Sequence, residues 1–266
     1  MIDNESDFLP FVLLNDLMGN IDKDKKYCLF LDIDGTISEF NADPKLSFIP
    51  RKTLDIIHQL QQMEILVCAV TGREVNVAIQ LFHPVQLPIA GTHGLEIQIN
   101  SNHKLITYTP DLHFHHLKKE IKNLCVTYPE LLIEYKAYSI ALHYRKHPEL
   151  ANIAKDIMQN LQLNFPMMKL VEGKYVFELL PNQANKGYAI QSILNYFNLQ
   201  NTVPIFIGDD LTDEAGFSTI HQYDGISIKV GQGDTNAQFR LKDVASVTEF
   251  LARFSQKLHK HSSIQI

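Results

Sequence analysis

Three apolar runs, at 27–31, 65–70 and 203–207, each end in polar or Gly residues and alternate with helix-like stretches at 51–62, 74–82 and 186–197. That alternation predicts βαβ units and a parallel sheet. In such sheets ligands sit beyond the carboxyl ends of the strands. Here those ends carry Asp32 and Asp34, then Thr71-Gly72-Arg73, then Gly208-Asp209-Asp210. Three polar clusters are therefore expected to converge on one edge.

The stretch from about 109 to 175 follows a different pattern. A helix-like segment with Leu117, Ile121 and Leu124 on one face leads into Leu131–Tyr135 and then Tyr138–Arg145. In the latter, Tyr138, Ile140, Leu142 and Tyr144 alternate with Ser139, Ala141, His143 and Arg145, the pattern of a half-exposed strand. A second helix at about 148–161 and a strand pair around Glu172-Gly173-Lys174 complete a small α+β domain with an antiparallel sheet. The expected architecture is an α/β core of residues 1–108 and 179–266 with an α+β domain, 109–178, inserted into it. The segment Phe8–Leu14 is expected to pack on the core, and Lys257–Ile266 to form a frayed polar tail.

Composition narrows the function. Hydrophobic residues make up 45% of the 266, enough for real cores. The net charge of −6, without a basic stretch, excludes a general nucleic-acid or anionic-membrane surface, so positive charge for an anionic substrate must be local. Cys28, Cys68 and Cys125 make an odd count, two of them inside apolar runs, which suits buried thiols in a reducing cytosol. A cytoplasmic location is expected, since the acidic N-terminal residues fit neither a signal peptide nor a membrane span.

The chemistry concentrates at Asp32-Ile33-Asp34-Gly35-Thr36. Side chains at i and i+2 of an extended chain point the same way, so both carboxylates can face one reacting group, while Gly35 permits a sharp turn. Two like charges this close need a cation between them or a proton on one. Mg²⁺ on the Asp32 carboxylate and a nearby carbonyl would leave Asp34 free to carry a proton. Thr71, at a strand end before a helix, can hold phosphate oxygens or cap that helix. Lys186 opens another helix-like run and can bring positive charge to a nucleophile or phosphoryl oxygen. Gly208-Asp-Asp-Leu-Thr-Asp-Glu214 clusters four acids, of which capping the next helix explains Asp213 alone. His113, His115 and His116 would splay around a helix with no Cys or acidic partner at ligand spacing, which disfavours a zinc site.

The order Asp32-Ile-Asp-Gly-Thr36, Thr71, Lys186, Gly208-Asp-Asp210 resembles the haloacid dehalogenase superfamily. The second Asp resembles its phosphatases and phosphomutases, and the insert matches the large α/β cap of its sugar-phosphatase branch. Thr71-Gly-Arg73, Gly91-Thr-His-Gly-Leu-Glu96, Glu134-Tyr-Lys136, Ala141-Leu-His-Tyr-Arg145, Phe177-Glu-Leu-Leu-Pro181, Asn185-Lys-Gly187 and Gly208–Glu214 are similar to the motifs of trehalose-6-phosphate phosphatases, over about residues 26–251. Thr71 stands where that family usually has Ser, and Ile33 where Tyr or Phe is common.

The resemblance implies a Rossmann-like core with a C2-type cap and Mg²⁺-dependent hydrolysis of trehalose 6-phosphate through an aspartyl-phosphate. Asp32 would be the nucleophile and Asp34 the acid/base, with Thr71 and Lys186 on the phosphoryl oxygens. The metal would lie on Asp32, the Asp34 carbonyl and Asp209, with Asp213 and Asp210 orienting its shell. Glu134, Lys136 and Glu178 would contact the distal glucose, Arg145 would lie near the phosphate, and Arg73 would join the substrate site. His93, between glycines, either joins that site or braces a turn. A functional link to a separate trehalose-6-phosphate synthase is implied as well. Two other readings stay open: a phosphatase for another sugar phosphate, and a non-catalytic regulatory subunit.

Overall fold

Through residue 106 the chain forms α1 (Leu14–Gly19), β1 (Tyr27–Leu31), α2 (Arg51–Gln62), β2 (Leu66–Val70), α3 (Val75–Phe82), β3 (Ile89–Gly91), β4 (Glu96–Asn100) and β5 (His103–Ile106). It continues with α4 (Leu112–Leu124), β6 (Leu132–Tyr135), β7 (Ile140–His143), α5 (Ala151–Asn164), β8 (Met168–Gly173) and β9 (Val176–Pro181). Then come α6 (Lys186–Tyr196), β10 (Val203–Gly208), α7 (Glu214–Gln222), β11 (Ile226–Val230), β12 (Phe239–Leu241) and α8 (Val244–Ser262). The computed structural model describes residues 10–41, 43–106, 112–173 and 175–262.

The chain divides into two units, one running to Lys104 and resuming at Lys186, the other Leu105–Asn185. The first is built on an eight-stranded sheet in the order β12-β11-β10-β1-β2-β3-β4-β5. From β12 to β3 the neighbours are parallel, and β4 turns antiparallel on β3. The central strands β1 and β10 are covered on both faces, which is why they read as continuous apolar runs. Leu29, Leu31, Ile205 and Ile207 join one core with Leu54, Ile57, Phe250 and Phe254 of α2 and α8. On alternate positions Phe206 meets Phe217 of α7 at 5.3 Å between ring centroids. Burying each such side chain is worth about 1.5–3 kcal/mol, so the sheet fixes the height of every strand end.

Of the segment Phe8–Leu14, Val12 and Leu14 pack on this core and the Val12 N–H donates to the Arg240 carbonyl at 2.9 Å, whereas Phe11 and Leu13 are exposed. Phe8 and Leu9 lie outside the described residues. The polar tail is a correction. Residues 257–262 continue α8, and Lys257 Nζ donates to the Met18 carbonyl at 2.7 Å. Residues 263–266 lie outside the described residues.

The second unit is a four-stranded antiparallel sheet, β6-β7-β9-β8, with a separate core in which α4 and α5 pack on Ile140, Leu142, Phe177 and Leu179. Two expectations change here. Leu124 is exposed although Leu117 and Ile121 on its helix are buried. The face expected to be exposed in Tyr138–Arg145 is so only in part: Ser139 and Ala141 are buried, while His143 and Arg145 are partly exposed.

Candidate active site

The sheet places the three clusters by its own hydrogen bonds. One residue past β1, the Asp32 N–H donates to the Ile207 carbonyl at 3.0 Å, and one past β2, the Thr71 N–H donates to the Ala90 carbonyl at 2.8 Å. Beyond Asp32 the chain doubles back, with the N–H groups of Thr36, Ile37 and Ser38 all directed at the Ile33 carbonyl. Gly35 sits at φ +81°, and a Cβ there would lie 2.0 Å from Asp209 Oδ2. Only glycine serves at this position, for its left-handed backbone and because the Asp209 carboxylate occupies the space a side chain would need.

Lys186, the first residue of α6, is buried and reaches Asp32 Oδ1 at 2.9 Å and Asp213 Oδ1 at 2.7 Å. Burial alone would lower its pKa, but Asp213 and Asp32 outweigh it and hold the ammonium above its ordinary range. Burial pushes Asp32 well above the usual carboxylate range against the pull of Lys186, with Asp213 and Asp209 adding to the rise. Asp209 is pushed up to about 7, first by burial and then by Asp213. One carboxylate oxygen from each of Asp32, Asp209 and Asp213 lies within 4.8 Å of the others. Three hard oxygen donors facing one lysine are short of positive charge, which is the condition a divalent cation relieves.

Asp213 has no exposed surface: Oδ2 accepts the N–H groups of Asp209 at 3.0 Å and Asp210 at 2.9 Å while Oδ1 takes Lys186. It therefore ties the loop carrying Asp209 and Asp210 to the lysine. The cap of the 3₁₀ turn Leu211–Asp213 is Asp210, whose side chain accepts the Leu211 N–H at 2.6 Å in a capping box with Asp213. The reading of Asp213 as a simple helix cap is corrected by this. Lys229, buried in β11, adds a further anchor by donating to the carbonyls of Asp209 and Val230.

Asp34 is not free. Arg73 grips it bidentately, Nε to Oδ2 and Nη2 to Oδ1, both 2.6 Å, and Nη2 also donates to Ser47 Oγ at 2.8 Å. Its side chain is not among the three carboxylates that cluster within 4.8 Å. Thr71 is buried, and its Oγ1 accepts the Arg73 N–H at 3.2 Å, shaping the loop that carries the guanidinium. His93 lies against that loop: its N–H donates to the Thr71 carbonyl at 2.9 Å, and its ring is 2.8 Å from where a Gly72 Cβ would be. Thr92 and His93 are both left-handed, at φ 47° and 54°, a strain that marks a specified turn.

In the second unit Lys136 Nζ donates to Glu178 Oε1 at 2.8 Å, Ser139 Oγ donates to the same oxygen, and His143 Nε2 meets Glu134 Oε2 at 2.8 Å. Arg145 lies over the Tyr175 ring at 5.9 Å. His113, His115 and His116 lie on α4, the side chain of His113 being outside the described residues.

Ser47, Ser139 and Lys229 were not singled out from sequence. A lysine within Ile226-Ser-Ile-Lys-Val230 was a usable signal, because a charge inside a buried strand needs a partner. The two serines carried none.

Residues 30–245 match the model of the trehalose-phosphatase family. The chain belongs to that family. Among its members the chain is 30% identical to the trehalose-6-phosphate phosphatase of Escherichia coli (strain K12), over 88% of this chain and 89% of that protein. It is 33% identical to a probable trehalose-phosphate phosphatase of Sinorhizobium fredii, over 77% and 78%. The C-terminal domain of Candida albicans trehalose-6-phosphate phosphatase shares the fold, with a TM-score of 0.84 at 19% identity over 94% of this chain and 99% of that one. This trehalose-phosphatase family member thus has the α/β core and separate antiparallel sheet that its motifs imply. No described helix is long and apolar enough to cross a membrane.

Proposed function

We propose that this protein hydrolyses trehalose 6-phosphate to trehalose and phosphate with Mg²⁺. The observation that carries the reading is the buried Asp32, held at a strand end by Lys186 beside Asp209 and Asp213. A carboxylate kept in place by an ammonium is set for attack on phosphorus, and the attack splits one hard displacement into two. Asp32 forms the aspartyl-phosphate as the P–O6 bond breaks. Asp34, once released from Arg73 and protonated from solvent, gives that proton to the departing oxygen and regains one from the water that hydrolyses the acyl phosphate. Lys186 and Thr71 hold phosphoryl oxygens, and Arg73 has a guanidinium fork suited to the same dianion. Asp32, Asp209 and Asp213, with the Asp34 carbonyl, would hold a Mg²⁺ ion, which would supply positive charge to offset that of the phosphoryl group in the displacement.

In this reading the second unit is the sugar-selecting cap. Glu134, Lys136 and Glu178 bind the distal glucose, with Arg145 and His93 completing the substrate contacts. Charged groups that donate and accept strong hydrogen bonds suit a polyhydroxylated ligand. We place the protein in the cytoplasm, functionally linked to a separate trehalose-6-phosphate synthase that makes its substrate. A phosphate-release assay over a panel of sugar phosphates tests the reading. Trehalose 6-phosphate should give the highest kcat/KM, and Asp32→Asn should abolish turnover while keeping the fold. Preference for another sugar phosphate would reassign the substrate, and full activity of Asp32→Asn would remove the nucleophile.

A further inference from the structure

Strand β7 lies between the two strands that carry the carboxylates of the sugar site, and Ala141 pairs in register with Glu134 on one side and Glu178 on the other. Ile140, Leu142 and Tyr144 point into the core of the second unit. Residues 139, 141 and 143 therefore take the opposite face. At one end of that row Ser139 Oγ donates to Glu178 Oε1; at the other, His143 Nε2 stands 2.8 Å from Glu134 Oε2. A carboxylate only accepts, so the imidazole is the donor in this contact.

We infer that Ser139 and His143 are positioning residues of the sugar site, each tying one oxygen of a sugar-reading carboxylate so that its orientation is set before the ligand arrives. The inference deepens the proposed function and rests on its assignment of Glu134 and Glu178. Ser139 is fully buried, so it touches no ligand and acts only through Glu178. Glu178 Oε1 takes both Ser139 and Lys136, which fixes the carboxylate plane and presents Oε2 as the remaining acceptor edge. The Glu134 side chain is 44% exposed and His143 only 25%, so the carboxylate is offered to solvent while its support is set back. A pre-set pair of carboxylates spares the cost of ordering two long side chains when the sugar binds. This division of labour also accounts for why a serine without exposed surface accompanies the lysine at Glu178.

The test uses the whole protein and two readouts, trehalose 6-phosphate kinetics and direct binding of trehalose by calorimetry, with a small aryl phosphate as control. Ser139→Ala should raise KM for trehalose 6-phosphate and Kd for trehalose by about tenfold. Aryl phosphate turnover and Tm should stay close to the parent. His143→Ala should act in the same sense through Glu134. In a Glu178→Ala background Ser139→Ala should add no further loss, because the carboxylate it acts through is gone. Unchanged KM and Kd, additive losses, or equal losses on both substrates would overturn the inference. A parent that neither binds trehalose nor hydrolyses its phosphate would sink the substrate reading itself, an outcome seen before any variant is made.

Discussion

At the residue scale the site is a charge balance that the isolated chain leaves unfinished. Asp209 shows it most clearly, since burial and then Asp213 raise it from an ordinary 3.8 to about 7. Its folded pKa lies above its unfolded one, so the folded state keeps a proton that the unfolded chain has lost between those values. The contribution to stability is full below about pH 3.8 and lost as pH rises to about 7; above that, the buried carboxylate is a constant cost. A divalent cation needs the carboxylate, so below pH 7 it must displace a proton. At a fixed, subsaturating Mg²⁺ concentration the rise in Tm should therefore be larger at pH 8 than at pH 6, and Asp209→Asn should largely remove it. An equal rise at both pH values would mean that Asp209 is already ionised in the metal-free fold. The carboxylates themselves were legible in the sequence, because paired acids after an apolar run are hard to explain otherwise. The Arg73 grip on Asp34 was not, since a fork that closes across 39 positions leaves no local pattern.

At the element scale, the apolar runs and helices that the pattern marks in the first unit lie close to their expected bounds, α2 at Arg51–Gln62 as its pattern predicts and α6 at Lys186–Tyr196. Short strands such as β3 and β12, three residues each, escaped notice because their signal is no longer than a loop's; β11 escaped because Lys229 interrupts its apolar run, and α8 because its charged end resembles a tail. The strand at β7 was expected, but its alternation marks exposure only in the second half: Ser139 and Ala141 are buried while His143 and Arg145 are partly exposed. Helix contacts carry the next prediction. A Cβ on Gly187 would lie 2.4 Å from the Ala215 carbonyl and from Thr219 Oγ1, so α6 approaches α7 closely only because this position is glycine. Gly187→Ala should push α6 outward and move the adjacent Lys186 relative to Asp32 and Asp213. The expected result is a lower Tm, by a destabilisation of about 1–3 kcal/mol, together with a lower kcat; a variant matching the parent in both would show that the interface yields without moving the lysine.

At the scale of the whole molecule, a net charge of −6 gave no hint of where an anion would bind, because Lys186 and Arg73 meet acidic partners that cancel them in any sum. Folding makes them local. The same holds for the second unit, whose sheet face gathers charges from β6, β7, the turn before β7 and β9 that are unremarkable in sequence. Core chemistry of this kind is indifferent to what is attached to the phosphate, so selectivity must come from groups that never touch phosphorus. If Glu134 and Lys136 read the distal glucose, each forms a charge-assisted hydrogen bond worth about 1.5–3 kcal/mol. Glu134→Ala or Lys136→Ala should then lower kcat/KM on trehalose 6-phosphate by roughly ten- to a hundredfold. An aryl phosphate, with no sugar to read, should be hydrolysed almost as fast as by the parent. Parallel losses on both substrates would assign these residues to the stability of the fold, and no loss on trehalose 6-phosphate would take the choice of sugar away from this face altogether.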